Sequence, residues 1–343
     1  MAAAGDLVRG RFDAQRLIAP ARSAPAAIDR ITAVQAQDLG AARLAVRART
    51  TGRTAADVDA LLNDGSATVT WLNRGTLHLV LREDYPWLHA LTAPTARTSN
   101  QTRLVQEGVS VADADRAAEA IAAWVRDEGP MTRHELRPRV DALGIATAGQ
   151  AMVHILMRAS LFGLITRGPV VGREQGYVAV DQWWPRLPTV DRDEALRELT
   201  VRYLRGHAPA DEHDLMKWSG LPLRDVRRGF ALVADRLVVD GTTGAARLKR
   251  QRLLDDVPPP LLLGGYDPIL MGWADRDWVL HGAQGVVTRN GLFLPILLVD
   301  GRAAGTWRRP SGVIDRAPFA PLTAEQTLAL DADAADVERF LAE

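Results

Sequence analysis

The sequence predicts an α+β protein made of three tandem helix–helix–hairpin units, with a β-rich part at its C-terminal end. Three observations carry this. The chain has 343 residues, too many for one ordinary core, so several domains are expected. A helix, a second helix and a Gly-tipped strand pair follow one another at 128–180 and again at 192–250, a structural repeat of about 80 residues. Beyond the PPP at 258–260, hairpin signals replace helical periodicity.

The first unit is placed at 1–110. SAPAAIDRITAVQAQ reads as one helix, with Ile28, Ile31 and Val34 at helical spacing, and TAADVDALLND as another. TVTWLNRGTLHLV alternates like a strand pair turning near Asn73–Gly75. The second unit, 111–185, contains EGPMTRHELRPRVDALG, where Thr132 and Glu135 form a capping box. GQAMVHILMRASLFGLI then carries Met152, Ile155, Leu156, Leu161 and Leu164 near helical spacing until Gly163 weakens or ends the helix. ITRGPVVGREQGYVAV follows as a hairpin. Helix, helix and hairpin in this order is a winged-helix layout.

The third unit, 186–257, repeats it. RDEALRELTVRYLRGHAP is an amphipathic helix, Asp211 caps DEHDLMKWSGL, and PLRDVRRGFALVADRL precedes the strand–turn–strand LVVDGTTGAARLKR. In the remainder, 258–343, VTRNGLFLP and VDGRAAG are hairpin signals. DADAADVERFLAE reads as a solvated closing helix.

Composition excludes several chemistries. There is no cysteine, hence no disulfide, thiolate nucleophile or cysteine-bound zinc, which fits a cytoplasmic location. Seven scattered histidines form no HExxH or similar ligand pair, so no metal is expected. Walker A, GxGxxG and GxSxG motifs are absent, and no cofactor is expected. No apolar run of about 18 residues exists to span a membrane, and MAAAGDLVRGRFDAQ lacks the order of a secretion signal. Basic and acidic residues number 42 each. That balance argues against a nucleic-acid binder until the distribution is considered. Only Lys217 and Lys249 are lysines, and residues 201–252 hold 11 basic against 6 acidic residues. Arginine forks suit phosphates and base edges.

Three stretches hold candidate functional residues. In WLNRGTLHL, Arg74 adjoins Gly75, where a backbone can approach a partner closely, and Thr76 and His78 share a strand face by period two. A wing with a wet polar face would look the same. LLLGGYDPILMGWADRDW sets Asp267 and Arg276 among Tyr266, Trp273, Asp275 and Asp277; a turn-rich strand edge is the alternative. In VQAQD, Gln35 and Gln37 would stand about 200° apart on a continuous helix and could not act together. They converge only if the helix ends near Gln35 and the chain extends. Otherwise one glutamine caps the backbone and the other is solvated.

VQAQD, RGTLHLV some forty residues later, LLLGGYDPILMGWADR and the closing GTWRR together resemble the AlkZ-like DNA glycosylases, a winged-helix family that includes the YcaQ-type enzymes. The resemblance runs from about residue 10 to the end. It implies tandem winged helices forming a C-shaped clamp on duplex DNA, and a catalytic QxQ motif at Gln35 and Gln37. The YcaQ-type branch carries Asp at the second position; Gln37 places this chain with the QxQ branch. Asp38 is one position out of register and receives no catalytic role.

The resemblance implies a monofunctional DNA glycosylase that hydrolyses the N-glycosidic bond of N7-alkylated guanine, bulky or cross-linked, in duplex DNA carrying an alkylated purine, in repair or in self-resistance to a genotoxin. It is expected to work as a nucleoid-associated monomer. Arg74, Thr76, His78, Asp267 and Arg276 are candidate DNA contacts. Arg227 and Arg228, on the second candidate recognition helix, are candidate phosphate contacts, and the C-terminal hairpins candidate minor-groove probes. Two competing readings are a non-enzymatic winged-helix regulator and a protein-binding scaffold.

Overall fold

The computed structural model describes residues 9–172 and 174–342. Residues 1–8 of the N-terminal stretch read above, Arg173 in the second hairpin and Glu343 lie outside the described residues. By contacts the chain divides into two compact units. One comprises the residues up to Val58, Leu196–Trp218 and those from Pro222 onward; the other comprises Asp59–Ala195 and Ser219–Leu221.

The first unit starts with α1 (9–14) and α2 (Ala24–Ile31). Ser23 caps α2 by accepting the Ala26 amide, and Pro25 lies in its first turn. Ala24, Ala27, Ile28 and Ile31 give it a buried stripe. The helix stops at Ile31, so the single helix expected through VQAQ is a correction: Val34 belongs to a short strand, β1 (Val34–Gln35). Asp38 then caps α3 (Leu39–Arg47) through the Ala41 amide at 2.8 Å. The next helix, α4 (Ala55–Asn63), leads into the second unit.

There, β2 (Ala67–Trp71) pairs antiparallel with β3 (Leu77–Leu81), Thr70 opposite His78. Every residue of both strands is buried, so the solvated polar face is absent. Four helices follow: α5 (Tyr85–Gln106), α6 (Val111–Glu128), α7 (Arg133–Ala142) and α8 (Ala151–Leu161). The Thr132–Glu135 capping box is formed at the start of α7. Gly163, at φ 72°, ends the turn after α8. The hairpin of β4 (Ile165–Val171) and β5 (Glu174–Ala179) joins β2 through Val69 opposite Arg167, giving the strand order β3–β2–β4–β5. Two hairpins far apart in sequence thus share one sheet. A short helix, α9 (Val180–Trp183), follows.

The chain returns to the first unit along α10 (Arg192–His207). The Asp214 amide donates to the Asp211 carboxylate at 2.8 Å and the Asp211 amide to the Asp214 carboxylate at 3.1 Å, starting α11 (Glu212–Ser219). After α12 (Leu223–Leu232), β6 (Leu237–Val239) and β7 (Ala246–Leu248) form the expected strand–turn–strand. Asp240 organises its turn by accepting the Thr242 and Thr243 amides, which holds its carboxyl below the usual range.

The C-terminal part begins with β8 (Leu261–Leu263) and the one-turn helices α13 (Pro268–Met271) and α14 (Asp277–Leu280). Next come β9 (Ile296–Val299), β10 (Arg302–Arg308) and β11 (Asp315–Pro318), in the sheet order β11–β10–β9–β8. Asp300 and Gly301 both have positive φ, 52° and 74°, as a two-residue turn matching the strand twist requires. VTRNGLFLP instead makes one isolated bridge, Val287 opposite Phe293. The closing helix, α15 (Ala324–Leu341), is not simply solvated: Leu330, Val337 and Phe340 are fully buried. Leu330 and Val337 pack with Leu262, Leu297, Val299 and Trp307. Each such side chain contributes roughly 1.5–3 kcal/mol by leaving water.

Candidate active site

The stretch carrying Gln35 and Gln37 is non-helical because of a backbone reversal just before it. Thr32 has φ 68° and ψ −51°, and the Ala33 amide donates to the Ile31 carbonyl at 2.8 Å. That is a three-residue γ-turn of the rare positive-φ type. A β-branched residue is strained there. The Thr32 side chain is fully buried, and its hydroxyl has no hydrogen-bond partner among the described residues. The chain then extends through Val34 and Gln35, bends at Gln37 and re-enters helix after the Asp38 cap.

The helical geometry that would separate the two glutamines is therefore absent. Their exposures differ: Gln35 is 6% accessible, Gln37 is exposed, and Val34 and Ala36 are buried beside them. Asp38 is committed to the α3 cap.

This stretch is held from behind by α10. Gly206 lies so close to α2 that a Cβ would stand 2.3 Å from the Arg30 carbonyl oxygen. Only glycine permits that approach. Arg202 and Arg205 reach the Asp29 carboxylate at 3.0 and 2.9 Å, and Arg205 also donates to the Asp29 carbonyl at 2.6 Å. Gln15, buried, donates to the Gly206 carbonyl at 2.6 Å and accepts from Arg49 at 2.8 Å.

Arg49 in turn meets both oxygens of Asp267, at 2.9 and 2.8 Å, with neither side chain exposed. Asp267 also caps α13 through the Ile269 amide. Nearby, Arg11 lies over the rings of Trp273 and Trp278, 5.0 Å from each centroid. His207 stacks on Tyr203 and is pushed down to about 3 by burial.

Asp267, read as a DNA contact, is the buried partner of Arg49. Arg276 is half-buried, donates to the Leu270 carbonyl at 3.2 Å and covers the Phe293 ring. Arg227 and Arg228 are exposed on α12, and Arg227 pairs with Glu212 at 3.1 Å. In the second unit, exposed Arg74 adopts a left-handed backbone between β2 and β3. It lines a small cavity of about 280 Å³ with Thr92, Thr95 and Ser99.

Thr76 turns its hydroxyl back to the Asn73 carbonyl. His78 is buried with its Nδ1 facing the Thr76 carbonyl at 3.0 Å. Burial, reinforced by Arg74, pushes its imidazole down to about 3. His78 is therefore a neutral ring buried inside the sheet.

Sequence reasoning missed Thr32 and the Arg49–Gln15 link. No glycine or proline marks the reversal, and the partners of Arg49 lie far away in sequence. Among the described residues no group of three or more metal-ligating side chains occurs, and no helix is long and apolar enough to cross a membrane.

Comparison with known proteins agrees with this fold. Residues 28–340 match the family described as DNA glycosylase AlkZ-like. An interstrand DNA cross-link repair glycosylase of Streptomyces sahachiroi is 27% identical over 350 residues, covering 95% of this chain and 93% of that protein. The solved structure of Streptomyces sahachiroi DNA glycosylase AlkZ superposes with a TM-score of 0.78 at 24% identity, covering 98% of this chain and 96% of that one. That likeness carries the fold: mixed α and β, with the winged-helix arrangement and a β-rich C-terminal part. The chain belongs to the AlkZ-like family of DNA glycosylases.

Proposed function

We propose that this chain hydrolyses the N-glycosidic bond of N7-alkylated guanine in duplex DNA, with Gln35 and Gln37 as its catalytic pair. The observation that carries this is the backbone break before Gln35, which removes both glutamines from helical geometry and leaves Gln37 exposed. A guanine alkylated at N7 already bears positive charge and leaves without a general acid. What remains is to place a water at the deoxyribose C1′ as positive charge develops there. A carboxamide donates and accepts at once. Two of them can hold the water in attack geometry, and their carbonyl dipoles favour the cationic sugar. The water adds to C1′, the electron pair of the broken bond goes to guanine N9, and the added oxygen releases its proton to solvent.

The product is an intact abasic site. A lyase step would need a lysine activated in an apolar pocket or beside another cation, but Lys217 and Lys249 are both exposed. The substrate class includes bulky and cross-linked adducts, and the name of the Streptomyces sahachiroi relative, an interstrand DNA cross-link repair glycosylase, supports this. Exposed Gln37 suits a reaction in which a large adduct need not enter a closed pocket. Arg74, Arg227 and Arg228 are the proposed phosphate contacts.

The test is base release from duplexes carrying defined N7 adducts, followed by a search for strand nicking. Release of the alkylated base with an unbroken strand is expected. DNA binding without release from any adduct would leave the regulator reading in its place.

A further inference from the structure

A cleft of about 600 Å³ opens in the first unit beside the end of α2, the end of α10 and the segment after β7. Five cations line it, Arg30, Arg205, Arg236, Lys249 and Arg250, against one carboxylate, Asp235. Many arginines of the chain are closed into ion pairs, including Arg47, Arg49, Arg126, Arg139, Arg158, Arg309 and Arg339. Here the pattern reverses. Among the described residues, Arg30, Arg236, Lys249 and Arg250 have no ion-pair partner. Arg205 holds Asp29, yet its Nε is buried without an acceptor.

The frame beneath these charges is fixed. The Lys249 amide donates to the Arg236 carbonyl at 2.8 Å, and Gln251 ties the same segment to the Arg205 carbonyl at 3.0 Å. Arg30 is anchored through its Nε to the Ala14 carbonyl at 2.9 Å. Burial pushes this guanidinium down to about 10, with Arg16 adding to the effect. Five cations lining one cleft repel one another more than Asp235 and the nearby Asp13 and Asp29 offset, and an anion between them relieves the repulsion. Arg30 also begins the sequence that runs through the Thr32 reversal to Gln35.

We infer that this cleft seats a backbone phosphate of the DNA substrate and so registers the duplex against the segment carrying Gln35 and Gln37. This rests on the glycosylase reading above, and no relative's name assigns the site. Arg236, Lys249 and Arg250 are exposed, so they can be changed without opening the core.

The test compares the full-length protein with the triple variant R236A/K249A/R250A and with the charge-keeping R236K/K249R/R250K. Affinity for an undamaged duplex is measured by fluorescence anisotropy across a salt series. Loss of one or two phosphate contacts lowers the slope of log affinity against log salt by about 1–2. The alanine variant is expected to show that loss and about tenfold weaker binding at 0.1 M salt. The charge-keeping variant is expected to match the wild type. Equal slopes in all three proteins, or equal losses in both variants, would overturn the site.

Free phosphate is the other source of this ligand. Calorimetric titration with inorganic phosphate at constant ionic strength, showing tight binding while the DNA slope stays unchanged in the alanine variant, would also overturn it. Base release by the wild type separates the two readings. Release with an unchanged slope in the alanine variant sinks the cleft alone. No release and no salt-sensitive binding sinks the glycosylase reading itself.

Discussion

Two regions of the first unit use arginine in opposite ways. Around Asp267 the guanidinium charge is closed into the protein: Arg49 meets both carboxylate oxygens, Gln15 and the Ala45 carbonyl. Arg47, equally hidden, holds Asp333, Asp336 and the Leu262 carbonyl. In the cleft after β7, four cations face one another without ion pairs among the described residues. A formal net charge of zero therefore conceals a local excess of positive charge at this cleft, balanced elsewhere in the chain. Charge committed to the fold holds elements together, whereas charge left over is available to a ligand.

The sharpest way to break this comparison is to remove one partner of the closed pair. Asp267→Ala strands the Arg49 charge in the interior and is expected to cost about 3–5 kcal/mol, read as a lower urea midpoint. A midpoint within error of the wild type would mean that the network does not anchor the unit. Gln37→Ala is the opposite case, since the side chain is exposed. Base release under single-turnover conditions should fall about a hundredfold, near 2.7 kcal/mol of barrier, with the urea midpoint unchanged. A parallel loss of stability would move Gln37 from the chemistry to the scaffold.

Acid probes two other closed polar groups, His207 in the first unit and His78 in the second. Burial is the leading cause that takes each to about 3, below the ordinary value near 6.5. As pH falls through 6.5 the unfolded chain gains these protons and the folded chain does not, so acid favours unfolding. The stability tied to each neutral ring is complete above about 6.5 and declines progressively toward 3. Between pH 7 and 5 roughly 2 kcal/mol per histidine is expected to be lost. Urea midpoints measured across that range check it, and His207→Phe should flatten the dependence. An unchanged slope would show that His207 is not buried as a neutral ring.

Local chemistry decided which features were legible in the sequence. The Asp300–Gly301 turn, the Thr132–Glu135 box and the Asp211 cap are each specified by residues a few positions apart, and all are formed. The buried pairing of Asp267 was not legible because its partner, Arg49, is 218 positions away. The burial of His78 was not legible because alternation along β3 suggests a wet face, whereas both faces are covered. The solvated reading of α15 failed for a similar reason. Its acidic residues hide Leu330 and Val337, and Asp333 is itself the acceptor for Arg47. At the candidate site the sequence posed the geometric condition, a break between Val34 and Gln37. It did not reveal that the break falls at Thr32, since threonine is a poor resident of that conformation.

That poor fit yields the smallest and most discriminating prediction. Thr32→Gly removes the steric cost of a positive φ, of order 1–3 kcal/mol, and deletes a buried hydroxyl that has no partner. Against this stand the loss of two packed carbons, Cβ and the methyl, about 1.6 kcal/mol, and the greater freedom of glycine in the unfolded chain, about 0.5–1 kcal/mol. The net expectation is a gain near 1 kcal/mol, seen as a higher urea midpoint. Glycine accepts the turn but also accepts many other conformations, so the direction of the chain entering Gln35 is less strictly imposed. Base release is therefore expected to slow several-fold while stability rises. Opposite signs in the two measurements would mark Thr32 as strain retained to position the glutamines. A fall in stability with an unchanged rate would reduce it to a packing residue and leave the alignment of Gln35 to the α10 clamp alone.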